Sequence, residues 1–100
     1  MKGQNDFPYH LTKYFSDYLP NQVAASPNTI SSYRDVFVQL MEFFKSEYNL
    51  PPEKLSYRDF TVERIEAFLH HLETSRGIGI STRNQRLAGI HAFFRYIQYR

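Results

Sequence analysis

The sequence predicts an all-α fold of four helices, and three observations carry that prediction. Apolar residues recur at spacings near 3.6 through most of the chain. Pro, Gly and Ser/Thr fall between these periodic segments, where helices stop and start. No segment shows period-two alternation or the Asn-Gly and Asp-Gly turns of a hairpin. One hundred residues, 42% of them hydrophobic and 17% aromatic, suit a single small domain spanning residues 1–100, in which Phe and Tyr supply large buried areas from few side chains.

The first helix is expected from Phe7 to Leu19, with Leu11, Phe15, Tyr18 and Leu19 on one stripe. Pro8 fits its first turn, and Pro20 is expected to end it. Ser26 signals the second helix as a cap, with Pro27 at the first helical position, where a missing N–H costs nothing. Ile30, Tyr33, Phe37, Leu40, Met41 and Phe44 then form an apolar face to about Tyr48, and Pro51-Pro52 mark the segment 49–56 as a stiff loop. Thr61 is the expected cap of the third helix, with Phe60 before it and Ile65 after it placed as a hydrophobic staple. Its apolar positions are Val62, Ile65, Phe68, Leu69 and Leu72.

Gly77 follows Arg76 where a left-handed C-terminal cap wants glycine. Ser81 is the expected cap of the fourth helix. Leu87, Ile90, Phe94 and Ile97 face the core, with Phe93 at the edge of the stripe. Gln85, Ala88, Gly89 and Ala92 are left on the outward side, where small residues admit another helix or the edge of a nucleic-acid groove.

Charge is unevenly distributed. Residues 76–100 hold five arginines and no acidic residue, whereas residues 1–75 hold seven Lys/Arg against ten Asp/Glu, so a net charge of +2 conceals a basic C-terminal segment. A local positive field favours polyanions, nucleic acid first. The start of the fourth helix concentrates the signal. Ser81 and Thr82 offer hydroxyls beside free backbone N–H groups and the positive end of the helix dipole, a natural phosphate seat. Arg83 and Arg86 add full charge, while Asn84 and Gln85 carry amides suited to base edges. The alternative is that Arg83 and Arg86 pair with Glu63, Glu66 or Glu73 on the protein surface. Asn28, Thr29, Ser31 and Ser32 make the start of the second helix a weaker version of the same site, and ordinary capping also explains them.

Other chemistry lacks residues to carry it. With no cysteine there is no disulfide or thiolate metal site. His70 and His71 are adjacent and point about 100° apart on a helix, unlike the i, i+4 pair of helical zinc sites. No metal and no cofactor are expected, and His91 reads as a packed histidine bordering the apolar face. No Ser/His/Asp set, phosphate loop or carboxylate pair is recognisable. Apolar runs are too short for a membrane span or a secretory signal, so a cytoplasmic protein without membrane contact is expected.

The segment SPNTISSYRDVFVQLMEFF, followed by LSYRDFTVERIEAFLHHLETSRGIGISTRNQRLAGIHAFFRYIQ, resembles the N-terminal core-binding, SAM-like domain of tyrosine recombinases: phage integrases, Xer-type enzymes and transposon-borne relatives. The ordered set carries the likeness: Ser-x-x-Thr-Ile-x-x-Tyr, then Phe-Leu-x-x-Leu, then Ser-Thr-Arg-Asn-x-Arg-Leu and Phe-Phe-Arg-Tyr. The resemblance implies a four-helix SAM-like orthogonal bundle lying on one face of double-stranded DNA, with the second and fourth helices toward the major groove and its phosphates. By position it implies DNA contacts from Thr29, Ser31, Ser32, Ser81, Thr82, Arg83 and Gln85; charge and exposure add Asn84 and Arg86. The family's tyrosine nucleophile, arginines, lysine and His-x-x-Arg motif lie in a downstream domain. The chain is therefore expected to be a non-catalytic fragment of a DNA-cleaving and rejoining integrase of a mobile element. Other recombinase protomers would meet it on the DNA through the full-length protein, and Arg95 and Arg100 would serve the junction to the catalytic domain. The alternative reading is a SAM-like protein–protein interaction module that uses the Ala/Gly face of the fourth helix.

Overall fold

In the computed structural model, which describes residues 7–98, the chain forms four helices in sequence and no strand among the described residues. Helix α1 is Phe7–Lys13 and continues without a break into a π-helical segment, Tyr14–Gln22; α2 is Pro27–Tyr48, α3 Val62–Arg76 and α4 Ile80–Gln98. Two short 3-10 turns, Pro52–Lys54 and Tyr57–Asp59, lie between α2 and α3.

Local chemistry explains most of the boundaries. The Thr29 N–H donates to Ser26 Oγ at 3.2 Å and the Arg64 N–H donates to Thr61 Oγ1 at 3.2 Å, so both expected caps are in place. Gly77 closes α3 at φ 66°, and Asn49 closes α2 at φ 55°, the left-handed conformation that satisfies terminal carbonyls. Ser56 and Asp59 form a reciprocal capping box around the second 3-10 turn, which gives the loop after α2 internal order and holds Leu55 fully buried.

Four expectations are corrected, the last of them Val62 of α3. Pro20 does not end the first helix; it sits inside the π segment, which runs on until the Val23 N–H donates to the Tyr18 carbonyl, five residues back, at 3.0 Å. The wider π turn relieves the clash that a proline ring makes with the preceding carbonyl in an α-helix. Ser81 is not the cap of α4, because the helix already starts at Ile80 and the Arg83 N–H donates to the Gly79 carbonyl at 2.9 Å. Glycine is also an accepted residue at that flanking position. Finally, the buried face of α4 is rotated from the expected stripe. Gly89, Ile90, Phe93 and Tyr96 are buried, while Leu87, Phe94 and Ile97 are half-buried.

That rotation follows from what α4 packs against: α2 on one side and α3 on the other. Its buried arc is centred between them. Phe93 is fully buried, its ring centroid 5.2 Å from Tyr14, 5.2 Å from Phe37 and 5.9 Å from Phe7, an aromatic hub linking three helices. Val62, expected on the core face of α3, is instead 69% exposed. The whole measures 37 × 32 × 18 Å, a thickness of about two packed helix layers at 8–10 Å spacing.

Candidate nucleic-acid interface

The N-terminal half of α2 and the Gln85–Ala88 stretch of α4 border a cleft. It is lined by Asn28, Thr29, Ser32, Tyr33 and Val36 from α2 and by Gln85, Arg86 and Ala88 from α4. Next along α4 is the buried Gly89, whose missing side chain lets the Tyr33 ring lie against the α4 backbone: a Cβ there would stand 3.4 Å from Tyr33 Cδ1. The small-residue face of α4 is thus turned, at Gly89, onto α2 of the same chain rather than outward.

Neither helix has an acidic residue in its first turn to offset the positive end of its dipole. Arg86 adds a full charge. Its side chain is half-buried, and its Nε is enclosed with no hydrogen-bond partner among the described residues. Arg86 lines the cleft, where its charge favours an anion.

The nine expected contact residues divide into three groups. Thr29, Ser32, Gln85 and Arg86 line the cleft; the Thr29 hydroxyl also accepts from Ser26 Oγ at 3.0 Å as part of the α2 cap. Ser31, Ser81 and Asn84 are exposed and Thr82 is half-buried, on the first turns of the same two helices but outside the cleft wall. Arg83 turns toward α3, where its Nε meets Glu73 Oε2 at 3.2 Å, the surface pairing left open by the sequence. Four further residues line the cleft: Asn28, Tyr33, Val36 and Ala88. First-turn position is the signal for Asn28, whereas Tyr33 sits on an apolar stripe and its spacing marks it only as core.

A second, more apolar groove runs between α3 and α4, bordered by Phe60, Val62, Ile65, Leu69, Leu87 and Phe94. His91 is exposed at its rim rather than packed. His71 is half-buried with its ring 5.1 Å from Phe43 and its Nδ1 3.3 Å from Ser75 Oγ. Among the described residues no three His, Cys, Asp or Glu gather as a metal site, and no helix is long and apolar enough to cross a membrane.

Comparison with known proteins agrees with this architecture. The chain is 44% identical over 89 residues, 89% of its length, to "Putative integrase/recombinase y4rC" of Sinorhizobium fredii, and 38% identical over 87 residues to "Putative integrase/recombinase y4rD" of the same organism. These matches cover 27% and 31% of the two relatives, so the chain spans less than a third of the length of the curated relatives it matches. No solved structure gives a significant match. Residues 11–100 match the family described as phage integrase, N-terminal SAM-like domain, and with nine-tenths of its length inside that match the chain belongs to this family of integrase and recombinase modules.

Proposed function

We propose that this domain holds double-stranded DNA for a site-specific recombinase, with the starts of α2 and α4 set against the duplex and strand cleavage carried out elsewhere in the full-length protein. The observation that carries this reading is the convergence in one cleft of Thr29, Ser32, Gln85 and Arg86, on two helices with no acidic residue in their first turns. Backbone amides and hydroxyls at such starts take phosphate oxygens and fix register, while the Gln85 and Asn28 amides are of the type that reads base edges. About four phosphate contacts would give a salt slope near −3.6, at roughly 0.9 per contact.

The test is fluorescence anisotropy of a labelled 30-base-pair duplex titrated with the chain at low salt. Arg86→Ala is expected to weaken binding about tenfold and to lower the slope by about 0.9. Unchanged affinity and slope would remove the cleft from the interface. The protein-interaction reading must use the apolar α3/α4 groove, where Val62 is 69% exposed, since α2 covers Gly89. It predicts salt-insensitive association and no duplex shift.

A further inference from the structure

The apolar groove between α3 and α4 lies on the other side of α4 from Gln85 and Ala88: at about 100° per residue, the arc of Leu87, Ile90 and Phe94 is centred away from those two. The duplex reading therefore leaves this groove uncovered. Nor does its apolar surface stop at Phe94. The rings of Phe94, Tyr57, His10 and Tyr9 follow one another at centroid separations of 6.5, 6.5 and 5.1 Å, an unbroken line of ring contacts from the groove to α1. None of the four is fully buried, and the line ends on Tyr9, which is 61% exposed.

The two ends of this surface carry matching patterns of opposite charge. On α3, the exposed Val62 is followed one turn later by the exposed Glu66, which forms no ion pair among the described residues. On α1, Tyr9 is followed one turn later by the exposed Lys13, which likewise forms none. In both places the apolar side chain and the charge stand four residues apart on one helix face, about 6 Å at 1.5 Å per residue. The chain thus presents both an apolar groove edged by a carboxylate and an aromatic side chain followed by a cation at the same spacing.

We propose that this surface is self-complementary and takes a second copy of the chain: Tyr9 of each copy enters the other's groove beside Val62, and Lys13 of each meets the other's Glu66. Because the aromatic ridge and the groove are joined by the line of ring contacts, the pairing closes on itself as a two-fold dimer in which every contact is made twice. Tyrosine suits such a contact, with a large apolar body and a polar tip that can stay wet. A contact limited to one short helix and one groove is smaller than a standard stable interface, so the dimer is weak, with Kd on the order of 100 μM. It leaves the α2/α4 cleft open and does not depend on DNA.

Sedimentation equilibrium of the 100-residue chain without DNA, from about 10 μM to about 1 mM, brackets that value. The parent is expected to pass from monomer to dimer across this range. Val62→Lys and Tyr9→Ala should raise Kd at least tenfold, whereas Arg86→Ala should leave it unchanged. Lys13→Glu and Glu66→Lys should each raise it three- to tenfold, and the double charge exchange should return it to within about threefold of the parent, a recovery that a damaged fold cannot produce. All four substituted positions are exposed, and circular dichroism melts check that each variant stays folded. A parent that remains monomeric to 1 mM, Val62→Lys and Tyr9→Ala that dimerise as the parent does, or a double exchange no better than the single changes would overturn the proposal. Duplex anisotropy on the same proteins separates the two readings: Val62→Lys should bind DNA as the parent does, and loss of duplex binding by Arg86→Ala alone leaves the dimer untouched.

Discussion

Arg83 Nε and Glu73 Oε2 stand 3.2 Å apart, tying the first turn of α4 to the last turns of α3. Both side chains are about a third exposed, and ion pairs of that kind contribute roughly 0–1 kcal/mol. A phosphate can therefore compete with Glu73 for Arg83 at little energetic cost. Glu73→Gln is expected to leave the melting temperature within a few degrees of the parent, and to tighten duplex binding at low salt by freeing one cation and removing one opposing charge. Calorimetric melting and anisotropy check the two halves; weaker duplex binding by Glu73→Gln would mean that Arg83 acts only within the protein.

Gly89 offers a test of how closely α2 and α4 must approach. An alanine Cβ would stand 3.4 Å from Tyr33 Cδ1 and 3.7 Å from Val36 Cγ2, at the edge of ordinary contact, while alanine gains about 0.8–1 kcal/mol of helix propensity over glycine. Gly89→Ala should thus be neutral or slightly stabilising. Gly89→Leu has to push the helices apart or displace Tyr33, and overpacking of that kind costs about 1–3 kcal/mol. Urea unfolding midpoints of the two variants should fall on opposite sides of the parent, or the alanine variant should coincide with it; equal losses from both would show that the contact with Tyr33 and Val36 does not admit even a methyl group.

Asp17 links the π segment to pH. Its carboxylate accepts hydrogen bonds from Asn21 Nδ2 at 3.0 Å and Gln22 Nε2 at 2.8 Å, and these hold it below its usual value of 3.8. A carboxyl whose folded value is depressed stabilises the fold while ionised. Its contribution is complete above about pH 5, fades as pH falls past its unfolded value, and is gone below the folded one. Asp17→Asn should therefore be less stable than the parent near neutrality and converge with it as pH falls below the usual carboxylate range, as read from denaturant midpoints across pH. A difference that stays constant over that range would mean the hydrogen bonds do not depend on the charge.

Features written in local chemistry were legible in the sequence. Ser26 with Pro27, Thr61 with its following helix, and Gly77 after Arg76 each satisfy terminal backbone groups within a few residues, and each lies where its residue type demands. The π segment was not legible, because Pro20 normally stops an α-helix and nothing in the spacing of Tyr14, Tyr18 and Leu19 signals a change of winding. Ser81 misled for a related reason: serine is a strong cap, but Gly79 reached the flanking position first. The rotation of α4 depends on which neighbours cover it, and periodicity alone could not say that Gly89 meets Tyr33 or that Phe93 sits at the hub. Residue chemistry picked out Gln85 and Arg86, but the pairing of Arg83 with Glu73 needed the packing of α3 on α4.

The central claim is that the cleft between α2 and α4 is the DNA-facing surface, and amide chemical-shift mapping addresses it most directly. Isotope-labelled chain is titrated with the 30-base-pair duplex at low salt, and the shifted amides are placed on the fold. The predicted result is that the largest changes cluster at residues 28–33 and 81–88, and that they reverse on adding salt. Changes confined to the outer face of α3 and the Phe60–Phe94 groove, or no changes at all, would contradict it.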